Sequence, residues 1–277
     1  MTDEIFLDTT IQIDRLLQTA DVQANIQQNL TNKRIYTSST VYMEFKRTIL
    51  QDIRYVHALV ERKCAIRPVQ TVLLSDIDRW LAGGEGNFSI RSRDRCKFVT
   101  ATIKDAIPQN SVHKNRLFTF LQTMRFNLEM DFFSVDLGDN GYFDISEEDT
   151  YIDIAGCVLS RPEYPSGDIL NTRLSCSAAT TACKLDQFLT QHADELQAIH
   201  RRLSTLPAQQ RDQRAFNVLT DVLANGYRRA LGERSCWALG DIVIALESPN
   251  NAAIYTTNEK HFSPLCEALS KQLISGI

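Results

Sequence analysis

Apolar residues first gather at Ile5-Phe6-Leu7, an unbroken triplet that gives way to Asp8, Thr9 and Thr10. Such a run reads as a strand buried on both faces, as in parallel sheets, and predicts β structure over residues 4–9. The spacing then turns helical: Ile13, Leu16 and Leu17 share one face of a helix from Ile11 to Leu17, and a second short helix covers Val22–Leu30. Arg34–Val41 is β-leaning through Ile35, Tyr36, Thr37 and Val41. Ser38-Ser39-Thr40 then offers a cap to a long helix running from Val41 to about Arg62, with Val41, Phe45, Ile49, Ile53 and Val56 at three- and four-residue intervals. Glu44 is expected in its first turn.

Beyond Pro68 the pattern is helical through most of 71–130, interrupted by the turn Gly83-Gly84-Glu85-Gly86-Asn87. That turn lacks the GK[ST] ending of a phosphate loop. Asp131–Ile145 alternates aromatic and β-prone residues around Gly138-Asp139-Asn140-Gly141. The acidic Ser146-Glu147-Glu148-Asp149 predicts a helix start, continuing through Ile152, Ala155 and Val158 to about Leu159. Helices are expected over Ala179–Leu203 and Gln210–Leu231, separated by Pro207, and an apolar helix from about Asp241 to Ser248. A strand at Ala252–Tyr255, a turn at Thr256-Thr257-Asn258 and a final helix from Phe262 to Ile274 close the chain.

Composition narrows the class. A chain of 277 residues, 43% hydrophobic, with only 11 Gly and 7 Pro, suits one large domain with a real core and no long linkers. No run of about 18 apolar residues is present, so no membrane span is expected. The start Met1-Thr2-Asp3-Glu4 lacks the basic and apolar regions of a signal peptide, which points to the cytoplasm. The seven cysteines are scattered and form no CxxC pair, so free thiols are expected. The net charge is −4, yet Asn87–Phe126 holds eight basic residues against two acids. Arg91, Arg93, Arg95 and Lys97 stand closest together there and are candidate phosphate contacts; the plain alternative is a solvated helical face.

Four polar residues stand at equivalent places. Asp8 and Asn258 each end a strand, Glu44 follows a short strand at a helix start, and Asp241 opens a helix. In a parallel sheet, strand C-termini and the following helix N-termini share one edge, so these side chains can converge. Clustered carboxylates raise one another's pKa unless a cation neutralises them, and an all-oxygen donor set suits Mg²⁺ or Mn²⁺. Each residue also has a plain structural alternative: strand-end Asp for Asp8, helix-dipole partner for Glu44, N-cap for Asp241, turn residue for Asn258. Asp14 and Asp153 are expected at the surface. His261 is expected to be solvated or capping, and Trp80 and Trp237 to be core or interface.

The motifs around these residues resemble those of the PIN-domain nucleases, especially the toxins of bacterial toxin–antitoxin pairs. Phe6-Leu7-Asp8-Thr9-Thr10-Ile11 resembles the family's first strand and acid, with Thr10 where Asn is usual. Ser38-Ser39-Thr40-Val41-Tyr42-Met43-Glu44 is similar to the second motif and Gly240-Asp241-Ile242-Val243-Ile244-Ala245 to the third. Tyr255-Thr256-Thr257-Asn258-Glu259-Lys260-His261-Phe262 resembles the fourth, a T-x-[DN] turn before an aromatic; Tyr142–Ser160 carries a weaker likeness.

The resemblance implies a three-layer α/β/α domain with a central parallel sheet. Its core would come from 1–61, 140–160 and 235–277, with helical insertions at about 62–135 and 162–230. It implies a metal-dependent endoribonuclease in which Asp8, Glu44 and Asp241 hold Mg²⁺ or Mn²⁺ and Asn258 completes the catalytic set. Thr9, Thr10 and Thr257 would orient the carboxylates, and Glu259 could stand in as a fourth acid. RNA would be the substrate, an antitoxin or regulatory protein a partner, and a homodimer a common assembly. The alternative is a catalytically inactive module of the same shape that binds RNA or protein. An accidental match predicts instead that Asp8, Glu44 and Asp241 lie far apart.

Overall fold

A computed structural model of the chain describes residues 3–63, 114–138, 141–146, 150–153, 157 and 183–276. Its centre is a five-stranded sheet in the order β5-β2-β1-β6-β7. The strands are β1 (Glu4–Leu7), β2 (Arg34–Ser38), β5 (Tyr151–Ile152), β6 (Ala253–Thr256) and β7 (Leu273–Ser275). All four pairings are parallel. The first strand is therefore central. It pairs with β2 through Ile5↔Ile35 and Phe6↔Tyr36, and with β6 through Phe6↔Ile254 and Leu7↔Tyr255. Residues almost 250 positions apart in the chain thus become neighbours, as the sequence motifs require.

The unbroken apolar run of β1 has the expected cause. Phe6 belongs to one hydrophobic cluster and Ile5 and Leu7 to another, so the sheet is covered on both faces. The smaller cluster is closed by Ile26 and Leu30 of α2 (Ala20–Leu30) and by Val135 of a separate antiparallel hairpin, β3 (Ser134–Asp136) and β4 (Tyr142–Asp144). The larger one contains Phe45, Ile49 and Ile53 of α3 (Ser39–Lys63) and Leu121, Met124 and Leu128 of α4 (Lys114–Asp131). A ring cluster joins these helices to the hairpin: Tyr42 and Phe45 lie 4.6 and 5.0 Å from Phe132, contacts worth roughly 0.5–1.5 kcal/mol each beyond their burial.

Between the sheet strands run α1 (Thr9–Leu17), α5 (Leu185–Gln191), α6 (Ala193–Ser204), α7 (Gln213–Asn225), α8 (Glu233–Ala238), α9 (Gly240–Glu247) and α10 (Glu259–Leu269). Phe188, Leu196, Ile199, Leu203, Leu219 and Val222 of α5–α7 are buried in the same cluster as Phe6 and Ile254. The described part of the extra helical region therefore shares the sheet's core. Arg202 of α6 donates to Glu267 of α10 at 2.6 Å, tying that region to the last helix. No helix among the described residues is long and apolar enough to cross a membrane.

Several boundaries differ from the sequence expectation. Helix α3 starts at Ser39, two residues early, because Ser38 Oγ accepts from the Val41 N–H. The helix expected from Ser146 onward is absent at Tyr151–Ile152, which instead adds an edge strand beside Thr37 and Ser38. The predicted last helix ends at Leu269, where Ser270 adopts a left-handed conformation (φ 54°), and the chain returns as β7. Three residues of edge strand are too few to show a two-residue period. The long helix expected over Ala179–Leu203 is broken at His192, and that over Gln210–Leu231 ends at Gly226, whose φ of 97° suits glycine.

Candidate functional site

At the C-terminal edge of the sheet, α1, α3, α9 and α10 each bring one motif to a common point. Asp8 directly follows β1, caps α1 by accepting from the Thr10 N–H at 3.3 Å, and is 1% exposed. Its Oδ2 accepts from the Thr10 hydroxyl at 2.8 Å and from the Thr256 hydroxyl at the end of β6. Thr10 Oγ1 in turn accepts from the Thr257 N–H at 3.1 Å, and Thr256 Oγ1 from the Asn258 N–H at 2.8 Å. Two hydroxyls thus lock the first and fourth motifs around one carboxylate. The sequence reading named Thr10 and Thr257. Thr257 contributes its backbone N–H, whereas Thr256 supplies the hydroxyl to Asp8; the first position of T-x-[DN] was the available signal.

Glu44 lies in the second turn of α3 and accepts from the Thr9 hydroxyl at 2.9 Å. The field of a helix end fades within its first turn, so the dipole alone does not account for this acid. Across from it, Gly240 opens α9 so closely that a Cβ there would stand 2.1 Å from Glu44 Oε1. Asp241 is the second residue of α9, whose cap is Leu239, so Asp241 is not an N-cap. Its Oδ2 lies 2.8 Å from His261 Nδ1 and 3.4 Å from Asn258 Nδ2, which donates to it. An amide at 258 can give this hydrogen bond; a carboxylate would add repulsion.

Burial and the charge of Asp241 act on both of the other acids. Asp8 is pushed up to about 6, first by burial and then by the charge of Asp241, against the opposing Thr256 and Thr10 hydrogen bonds. Glu44 is pushed up to about 8 by burial, by Asp241 and to a lesser degree by Asp8; the Thr9 hydroxyl and Arg47 oppose this. His261 is raised, chiefly by its hydrogen bond to Asp241.

The remaining candidates fall elsewhere. Glu259 is exposed on the first turn of α10. Asp14, expected at the surface, is buried at 4% exposure and accepts from Gln18 Nε2 at 3.4 Å, while Asp153 is exposed as expected. Trp237 is partly buried with the Arg47 guanidinium 3.4 Å from its ring centroid. Arg91, Arg93, Arg95, Lys97 and Trp80 lie outside the described residues. Cys157, Cys183, Cys236 and Cys266 are free thiols.

The donor set for a cation is all oxygen. Asp8 Oδ2, Glu44 Oε2 and Asp241 Oδ2 take up the side-chain hydrogen bonds just described, and Asp8 Oδ1 accepts from the Thr10 N–H. No three His, Cys, Asp or Glu side chains among the described residues are already gathered at metal-binding distance. The donor chemistry fits a hard cation, and closing on one requires the side chains to move.

Fold and site together define an α/β protein with a carboxylate cluster at the C-terminal edge of a parallel sheet. No family model, no curated protein and no solved structure matches the chain.

Proposed function

We propose that the chain is a PIN-like, metal-dependent endoribonuclease, with a three-layer core built from 1–61, 140–160 and 235–277. The observation that carries this reading is the burial of Asp8 and Glu44 within the field of Asp241, where three motifs of matching order meet. Two carboxyls held well above their ordinary range are costly in isolation, and a divalent cation removes that cost.

Asp8, Glu44 and Asp241 would hold Mg²⁺ or Mn²⁺. When bound, the ion supplies a water of lowered pKa and stabilises charge on the phosphate. The chain's own residues do the rest. Thr10 and Thr256 fix Asp8, Thr9 fixes Glu44, and Asn258 and His261 fix Asp241. The substrate is RNA, in the cytoplasm, and a toxin or defence role would bring an antitoxin or other regulatory protein as partner; a homodimer is a compatible assembly.

A second reading is a catalytically inactive PIN-like module that binds RNA or protein. It is favoured by the hold of His261 and Asn258 on the same Asp241 oxygen, Oδ2. Incubating the purified protein with single-stranded RNA in Mn²⁺, and again in EDTA, tests the choice. Cutting in Mn²⁺ alone supports the nuclease; intact RNA in both supports the inactive module.

A further inference from the structure

Arg47 stands one turn beyond Glu44 on α3, hence on the same side of the helix. Its guanidinium lies 3.4 Å from the centre of the Trp237 ring, which comes from α8. Several other arginines donate to protein acceptors. Arg15 donates to Gln12 Oε1 at 2.6 Å and to the carbonyls of Ser134, Asp131 and Phe132 at 3.0, 2.7 and 2.6 Å. Arg202 holds Glu267 and Thr205, Arg211 holds Leu203 O and Gln213, and Arg214 holds the Arg234 carbonyl. Arg47 has no hydrogen bond and no ion pair within 4.0 Å among the described residues.

Its charge is nevertheless felt by Glu44, and it feels Glu44, Glu233 and a second cation, Arg214. A guanidinium laid flat on an indole is held by its face, while its N–H donors radiate from its edge. Arg47 is partly exposed, and among the described residues its donors have no acceptor; the acids beside it would by themselves repel an incoming phosphate. A fork of N–H donors fits phosphate oxygens in two-point fashion.

We propose that Arg47, seated on Trp237, is the contact for a backbone phosphate of single-stranded RNA entering the Asp8–Glu44–Asp241 site. The assignment rests on the nuclease reading of that site and adds a substrate-binding residue that the sequence motifs do not contain. Trp237 is its shelf, and the ring face toward Arg47 is not available to a base.

The test uses the full chain carrying Asp8→Asn, which blocks cutting, and a short fluorescein-labelled single-stranded RNA in Mn²⁺. Binding is followed by anisotropy across a salt series, with and without Arg47→Gln or Arg47→Lys. Arg47→Gln is expected to weaken binding about tenfold. It should also lower the slope of log affinity against log salt by about 0.7, the signature of one lost phosphate contact on a single strand. Arg47→Lys should restore the slope, because the charge returns. Equal affinity and slope for Arg47→Gln overturn the assignment, and the nuclease reading then stands if the unaltered chain cuts RNA. No RNA binding by the Asp8→Asn chain, with no cutting by the unaltered one, overturns both. If Arg47→Gln does not fold, Trp237→Leu in the same background serves: weaker binding with an unchanged slope supports the shelf, and unchanged binding overturns it.

Discussion

Gly240 faces Glu44 across the α3–α9 contact so closely that a methyl group at 240 would stand 2.1 Å from Glu44 Oε1. The atom in the way is the tip of a side chain, which can swing aside. Gly240→Ala should therefore cost less than about 1 kcal/mol of stability, since alanine also favours the helix it opens. It should move the Glu44 carboxylate and lower RNA cutting on the order of 100-fold. Denaturant melts beside a cleavage assay check the split. A large stability loss with cutting proportional to the folded fraction would show that position 240 serves packing alone.

The burial of Asp8 and Glu44 beside Asp241 predicts an unusual pH dependence. Both acids are raised in the folded chain, from 3.8 to about 6 and from 4.5 to about 8. The folded state then binds more protons than the unfolded state between these limits, so stability falls as pH rises from about 4 to 8. Asp8 alone accounts for on the order of 3 kcal/mol of that fall. Asp8→Asn should flatten the slope. Urea melts at pH 5 and pH 8 in EDTA measure it, and a metal-free chain more stable at pH 8 would contradict the raised pKa of these buried acids.

The same burial of like charges predicts what a cation does. Millimolar Mn²⁺ or Mg²⁺ should raise the melting temperature at pH 8, where the acids are ionised, and do so less at pH 5. Asp8→Asn and Glu44→Gln should each reduce the shift. A shift that is equal in all three chains would place any bound ion elsewhere.

Thr10 and Thr256 give a prediction of their own. Each donates a hydroxyl to Asp8 Oδ2. Thr256→Val should cost roughly 1–3 kcal/mol, since it strips a donor from a buried carboxylate. The cost should be greater at pH 8 than at pH 5, because the hydroxyl favours the ionised form. Melts of Thr10→Val and Thr256→Val at the two pH values test this; a pH-independent loss would make these threonines packing residues.

What was legible in the sequence depended on length and burial. Ile5-Phe6-Leu7 could be read as a buried strand because both of its faces are covered. Asp8, Glu44, Asp241 and Asn258 could be placed together because parallel topology puts strand ends and helix starts on one edge. The edge strands Tyr151–Ile152 and Leu273–Ser275 were not legible: two or three residues carry no period, and their pairing is set by β2 and β6. Nor was the burial of Asp14, or the start of α3 at Ser39, which turns on a single Ser38 hydroxyl. Arg47 was invisible because its meaning lies in Trp237, 190 positions away in the chain.

The central claim is that the carboxylate cluster cuts RNA, and it meets its most direct test in one cleavage assay. End-labelled single-stranded RNA is incubated in Mn²⁺ with the unaltered chain, Asp8→Asn and Asp241→Asn, at equal folded concentration. The account predicts shortened RNA with the unaltered chain and at least about 100-fold slower cutting by either variant. Cutting that survives in both variants, or that proceeds equally in EDTA, would contradict it.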